Sequence, residues 1–304
     1  MSRKRGKALE RRQQSSGIVK VGEVGKLSGH APEIWIGEDA DAIAREGARR
    51  IGELARRCIA ARGRFVLALA GGTTPRRLYK CLAQTDGIDW QRIDIFFSDE
   101  RMVPAESADS NYLMAKETLL SQVPIPAANV HQVATQLPGE EAASAYEQSL
   151  RGVLASIDPE DPRLDVALLG MGPDGHTASI FPGSRLLAGI DNDFLLDDPE
   201  TGPLKARRPE PSLAAYTTER LVAAITDSPK PPAARVTMTP YLLNRSRHVL
   251  VLVAGEDKVA AVSAALESDA RVSEIPIRAI APHSGELVWL LDRRAARALG
   301  NPPL

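Results

Sequence analysis

Only two cysteines, Cys58 and Cys81, occur in 304 residues. So few exclude a disulfide framework. With no Cys/His cluster, a structural zinc site is excluded as well. Scarce cysteine fits a reducing compartment, and the expected localisation is cytoplasmic. No apolar run approaches the roughly 20 residues that a membrane-spanning helix needs. The N-terminal stretch lacks the apolar core of a secretion signal. Neither a Walker loop nor the Gly-x-Gly-x-x-Gly dinucleotide fingerprint is present. No internal repeat is visible, and no cofactor is implied.

What is present is enough apolar sequence, 43% of the chain, to bury a substantial core. The overall charge of −1 hides an asymmetry. Residues 1–29 carry eight Lys/Arg against two Asp/Glu. The remaining 30 basic and 37 acidic residues give the body a net of −7. Residues 1–29 read as a basic, disordered tail. The tail is too short for a helix-turn-helix domain, and no nucleic-acid partner is expected.

Residues 30–304 read as one α/β domain. Ile34-Trp35-Ile36 suggests a first strand, and Asp41 to Arg57 a helix with Ile43, Ile51 and Leu54 on one face. Phe65 to Ala70, Ile93 to Phe97, Val166 to Leu169 and Val249 to Ala254 are near-continuous apolar runs of the kind buried in parallel sheets. His131-Gln132-Val133 suggests a short strand, Gly139 to Ala155 and Val259 to Leu266 helices, and Leu287 to Leu291 a closing strand. The pattern predicts a doubly wound, mostly parallel, Rossmann-like sheet with helices on both faces. Acidic and proline-rich residues 186–215 read as an insertion, either a solvated excursion or a lid.

Three strand ends carry the chemistry. After Phe65 to Ala70 comes Gly71-Gly72-Thr73-Thr74-Pro75. Glycines permit positive φ and close approach to the backbone. Thr74 is expected as N-cap and Pro75 as first helical residue. Bare N–H groups at a helix start beside hydroxyls suit a phosphate. After Ile93 to Phe97 comes Ser98-Asp99-Glu100-Arg101, a run of charges that must be paired or wet. Asp109-Ser110-Asn111-Tyr112 follows as a helix start. After Val166 to Leu169, the segment Gly170-Met171-Gly172-Pro173-Asp174-Gly175-His176 turns sharply and delivers a histidine past the strand end, where α/β sheets bind ligands. A neutral imidazole there suits proton abstraction near pH 7. Taken alone, each motif is also compatible with an ordinary tight turn, a structural ion pair or a loop histidine.

Together these blocks resemble the family shared by 6-phosphogluconolactonases and glucosamine-6-phosphate isomerase/deaminases. Arg235-Val236-Thr237-Met238-Thr239 with Asn244, and Val253-Ala254-Gly255-Glu256-Asp257-Lys258, extend the resemblance over roughly residues 31–292. Asp99-Glu100-Arg101, Asp109-Ser110-Asn111 and His176-Thr177-Ala178-Ser179 point to the lactonase branch. No glutamate lies between His176 and Asp191 to serve as the carboxylate that deaminases use. The resemblance implies hydrolysis of 6-phospho-D-glucono-1,5-lactone in the oxidative pentose phosphate pathway, with that sugar-phosphate lactone as the small-molecule partner. It implies His176 as general base, Asp99 supporting it, and Arg101 facing the lactone. Gly71, Gly72, Thr73, Thr74, Asn111, Arg235 and Lys258 would bind substrate or its phosphate, with Asp174 and Gly175 supporting the turn. Ser179 has no nucleophile elbow around it. No metal or covalent intermediate is implied. Deamination of glucosamine 6-phosphate and non-catalytic phosphosugar sensing stand as alternatives.

Overall fold

The computed structural model describes residues 18–23, 32–188, 190, 220–282 and 284–300. In chain order the elements are β1 (Ile18–Glu23), β2 (Glu33–Gly37), α1 (Ala40–Arg62), β3 (Phe65–Leu69), α2 (Thr73–Ala83), β4 (Ile93–Phe97), β5 (Asp99–Arg101), α3 (Asn111–Ala115), α4 (Gly139–Ile157), β6 (Val166–Gly170), β7 (Val222–Ile225), β8 (Arg235–Met238), α5 (Pro240–Asn244), β9 (His248–Val253), α6 (Val259–Glu267) and β10 (Glu286–Asp292). Helix α1 outlasts its expected end at Arg57. It starts at the Asp39 cap, whose carboxylate accepts from the Ala42 N–H, and stops at Gly63 with φ 80°.

The large sheet runs β1-β2-β10-β9-β6-β3-β4, and all neighbours after β1 pair in parallel. Buried on both faces, the strands are apolar at nearly every position. Alternate residues feed two cores. Phe65, Leu67 and Leu69 pack with Ile51, Leu78 and Leu82 of α1 and α2, while Val66 and Ala68 pack with Tyr146, Leu150 and Val262 of α4 and α6. The expected α/β architecture is therefore present. A second, antiparallel sheet, β5-β8-β7, lies beside the first and was not apparent from sequence periodicity.

Three expectations are corrected. Residues 18–23, inside the stretch read as tail, form β1 antiparallel to β2, because Ile18 alternates with exposed Val19 and buries itself in the core. The rest of that stretch lies outside the described residues. His131–Val133 is not a strand: only Ile95 and Val130 make a bridge, and the His131 N–H donates to the Ile95 carbonyl. The last strand, β10, does not close the sheet but lies between β2 and β9. Of the 186–215 insertion, only 186–188 and 190 are described, and Leu186 and Leu187 are buried in the core.

Edge strand β4 is finished by side chains rather than by another strand. The Tyr146 hydroxyl, on α4, accepts from the Phe97 N–H at 2.6 Å and donates to the Phe97 carbonyl at 3.1 Å. Among the described residues, no helix is long and apolar enough to cross a membrane. Tyr146→Phe, which leaves the buried Phe97 N–H without this partner, should lower unfolding free energy by about 1–3 kcal/mol in urea titrations. An unchanged midpoint and slope would show that the hydroxyl is dispensable.

Candidate active site

Because the strands are parallel, β3, β4, β6 and β9 deliver their C-terminal loops to one edge of the sheet. At the end of β3 the chain turns at Gly72, φ 99°, and helix α2 starts at Thr73. The cap is thus Gly72 rather than Thr74, and Pro75 is the third helical residue, where its missing N–H still costs nothing. The two glycines differ in role. A Cβ at Gly71 would lie 2.1 Å from Asn111 Oδ1, so Gly71 makes room for a side chain of the protein itself. A Cβ at Gly72 would meet nothing within 4 Å, and this turn with exposed Thr73 is open to a ligand. The Tyr79 hydroxyl donates to the Ala70 carbonyl at 2.6 Å, pinning the turn to α2.

The end of β4 is organised by Glu100. Its buried carboxylate accepts from the N–H groups of Arg101, Asn111 and Tyr112 at 2.7–2.8 Å and from the Ser110 hydroxyl at 3.1 Å. Ser110 is the cap of α3, accepting from the Leu113 N–H. The Asn111 amide donates to the Asp99 carbonyl and carboxylate at 2.8 and 3.1 Å. Asn111 therefore holds the Asp99 loop. Arg101 donates Nη1 to the Asp109 carbonyl, and its buried Nε has no partner among the described residues.

After β6, the Gly172 N–H donates to the His176 carbonyl and the Gly175 N–H to the Gly172 carbonyl, closing a tight loop. Gly175 takes φ 76° against Ile275. His176 is four-fifths buried and stacks on Phe181 with centroids 4.5 Å apart. Its Nδ1 lies 2.5 Å from Asp174 Oδ1. The carboxylate in contact with the histidine is thus Asp174, two residues away in the same loop, while Asp99 acts on it only as a charge without a hydrogen bond. Lys230 Nζ stands 3.0 Å from the other Asp174 oxygen and 3.2 Å from His176 Nδ1. Burial pushes the Asp174 carboxyl up, but hydrogen bonds from His176 and Lys230 outweigh it and hold the group at about 2. Burial is also the largest influence on His176 and pulls it below the ordinary imidazole value. Asp174 opposes this and the Lys230 charge reinforces it.

Asp99 instead accepts from the Ser179 hydroxyl at 2.6 Å and faces Arg235 Nη1 at 3.8 Å. Ala178, with φ 47°, holds a left-handed conformation that costs a non-glycine residue about 1 kcal/mol and carries the chain on to Ser179. Arg235, a candidate phosphate ligand by sequence, is 4% exposed and directs Nε to the Pro232 carbonyl and Nη2 to those of Lys230 and Pro231. It holds the 230–232 turn. It also lies directly across from Arg101 in the β5–β8 ladder, an arrangement that leaves like charges side by side. Lys258 stands beyond β9 at the same sheet edge, half-buried and paired with Asp257 at 2.9 Å.

The site thus brings together Asp99, Asn111, Ser179 and Arg235 in one hydrogen-bonded group, and Asp174, His176 and Lys230 in another. Among the described residues, no hydrogen bond or ion pair joins Lys258 or Thr74 to either group. Lys230 was missed by sequence reasoning. Its only signal is the surrounding Ser228-Pro229-Lys230-Pro231-Pro232, a proline-rich turn that stiffens one lysine. Among the described residues, no group of His, Cys, Asp and Glu is placed to hold a metal ion.

A family model described as glucosamine-6-phosphate isomerases/6-phosphogluconolactonase matches residues 38–207 and 209–289. The human 6-phosphogluconolactonase is 36% identical over 260 residues, covering 84% of this chain and 89% of that protein. A probable chloroplastic 6-phosphogluconolactonase 3 from Oryza sativa is 35% identical over 271 residues, covering 86% and 73%. Among solved structures, the 6-phosphogluconolactonase from Trypanosoma brucei superposes with a TM-score of 0.67 at 30% identity, covering 88% of this chain and 99% of that one.

Gly172 is the tightest point of the site, because an added Cβ would lie 2.0 Å from His176 Nδ1 and 2.4 Å from Asp174 Oδ1. Gly172→Ala should therefore split the Asp174–His176 pair and remove most activity while the protein stays folded. Circular dichroism and turnover measured on one preparation check this, and full turnover would show that the pair can shift at no cost.

Proposed function

The chain belongs to the glucosamine-6-phosphate isomerase/6-phosphogluconolactonase family, and from that premise we propose that it hydrolyses 6-phospho-D-glucono-1,5-lactone to 6-phosphogluconate with His176 as general base. The observation that carries the reading is the Asp174–His176 contact. A carboxylate only accepts, so the Nδ1 that faces it carries the proton, and Nε2 is left with its lone pair. Held below its ordinary pKa, the ring is neutral at pH 7 and ready to take a proton.

In the reaction, Nε2 removes a proton from water as the water oxygen bonds to C1. The imidazolium then returns that proton to the ring oxygen as the C1–O bond breaks, leaving the open-chain acid. General-base assistance of this kind is worth roughly 10²–10⁴-fold. The phosphate is assigned to the N–H groups of Gly72 and Thr73, the Thr74 hydroxyl and Lys258, where the start of α2 favours negative charge. Anchoring the phosphate away from the ester fixes the ring near the base, which is where most of the positional gain arises. Arg101, with an unpartnered Nε, is assigned to the lactone side, where negative charge develops during attack. Asp99, Asn111 and Arg235 hold that wall in place through the contacts described above. The missing glutamate after His176 argues against deamination.

Hydrolysis of freshly generated lactone, followed by acid release with the spontaneous rate subtracted, tests the reading. The wild type should accelerate it and His176→Gln should lose at least about 100-fold. Acceleration that survives in His176→Gln would remove the base, and ammonia release from glucosamine 6-phosphate in its place would overturn the substrate. Because the neutral ring is the active form and burial lowers its pKa, kcat/KM should rise with pH through a midpoint below 6.5 and then level off. Lys258→Ala should raise KM about 10-fold or more with a smaller change in kcat, and an unchanged KM would exclude this lysine as the phosphate anchor.

A further inference from the structure

Lys230 lies outside every motif that singled out the site, yet its ammonium stands 3.2 Å from His176 Nδ1 and 3.0 Å from Asp174 Oδ2. Protonated amine and protonated Nδ1 are both donors, so the two nitrogens cannot hydrogen-bond to each other. The lysine donates to Asp174 and faces the histidine purely as a charge. Its place is built: the Lys230 N–H donates to the Ser228 hydroxyl, its carbonyl accepts from Ser228 Oγ and Arg235 Nη2, and its ammonium lies 5.8 Å from the Phe181 ring on which His176 stacks.

We propose that Lys230 is a positioning residue that neutralises Asp174 and so keeps His176 in its uncharged, Nε2-basic form. A lone carboxylate against a histidine stabilises the imidazolium and would leave the ring protonated, unable to act as a base. A cation on the far side of that carboxylate preserves the orienting hydrogen bond while cancelling the charge. The groups facing the ring are Asp174 from its own loop, Lys230 from the 228–232 turn, Asp99 from β5, and Arg235 behind Phe181. Among the described residues, Lys230 is the one lysine or arginine in hydrogen-bond range of Asp174. This inference rests on the general-base reading, and its test separates the two.

The test is an imidazole NMR titration of the full-length protein, with the His176 resonance assigned by its loss in His176→Gln among the chain's five histidines, run beside the pH profile of kcat/KM. Lys230→Met should raise the His176 pKa by on the order of one unit and move the acid limb of the profile upward with it. Lys230→Arg should leave both near their wild-type positions. Lys230→Gln supplies a second neutral variant should Lys230→Met fold poorly. An unmoved His176 pKa in both neutral variants, with turnover lowered evenly at every pH, would overturn the proposal and leave the lysine a structural prop. A wild type without lactonase activity would remove the general-base reading, and the NMR titration would still decide the electrostatic role of Lys230.

Discussion

Parallel pairing is the constraint from which the rest of this molecule follows. Six strands running the same way must each return by a crossover, so every strand ends at the same edge and the loops gathered there come from distant parts of the sequence. β3, β6 and β9 are consecutive neighbours, and Gly72, His176 and Lys258 sit just beyond their ends. The small β5-β8-β7 sheet adds what the parallel sheet cannot. It lets the chain turn straight from β4 into an antiparallel strand, which brings Asp99 level with Thr237 and Arg101 level with Arg235. One sheet gathers the loops and the other aims them.

Between the two, buried charge is placed with little waste. Glu100 takes three backbone N–H groups and a hydroxyl, two of the N–H groups being those of Asn111 and Tyr112 at the start of α3, which have no partner within the helix. Arg235 spends its donors on three carbonyls of the 230–232 turn. Neither side chain reaches outward, and both fix the ones that do. This division explains why the Asp-Glu-Arg run can sit at the end of an apolar strand. Of its three charges, Glu100 is satisfied by backbone, Asp99 by Ser179 and Asn111, and Arg101 stays half-exposed.

The architecture was legible because long apolar runs are a strong local signal, which β3, β4, β6 and β9 all carry, and in β3, β6 and β9 the run ends in glycine. Strand β1 was hidden by the basic residues before it, and β5, β7 and β8 by their length, since three or four residues show no period. Within the site, the residue types were legible and their pairings were not. Asp99 and Asp174 are both carboxylates near a strand end, and which one meets His176 depends on how the Gly172–Gly175 loop curls back. Sequence spacing does not encode that curl; Gly172 and Gly175 only permit it. Lys230 was beyond reach because it acts from a turn more than fifty residues downstream.

The Tyr146 hydroxyl has a consequence for how copies of the molecule meet one another. A sheet of this size with an open flank is a template onto which any extended chain can zip, and β4 is such a flank. Here the outward-facing groups of Phe97 are occupied by one phenol, and the Ile95 carbonyl by the His131 amide. A plug made of side chain and loop needs no partner, closes as the domain folds, and leaves no ladder for a stranger to extend. The same helix that builds one hydrophobic layer thereby guards the protein against aggregation along that side.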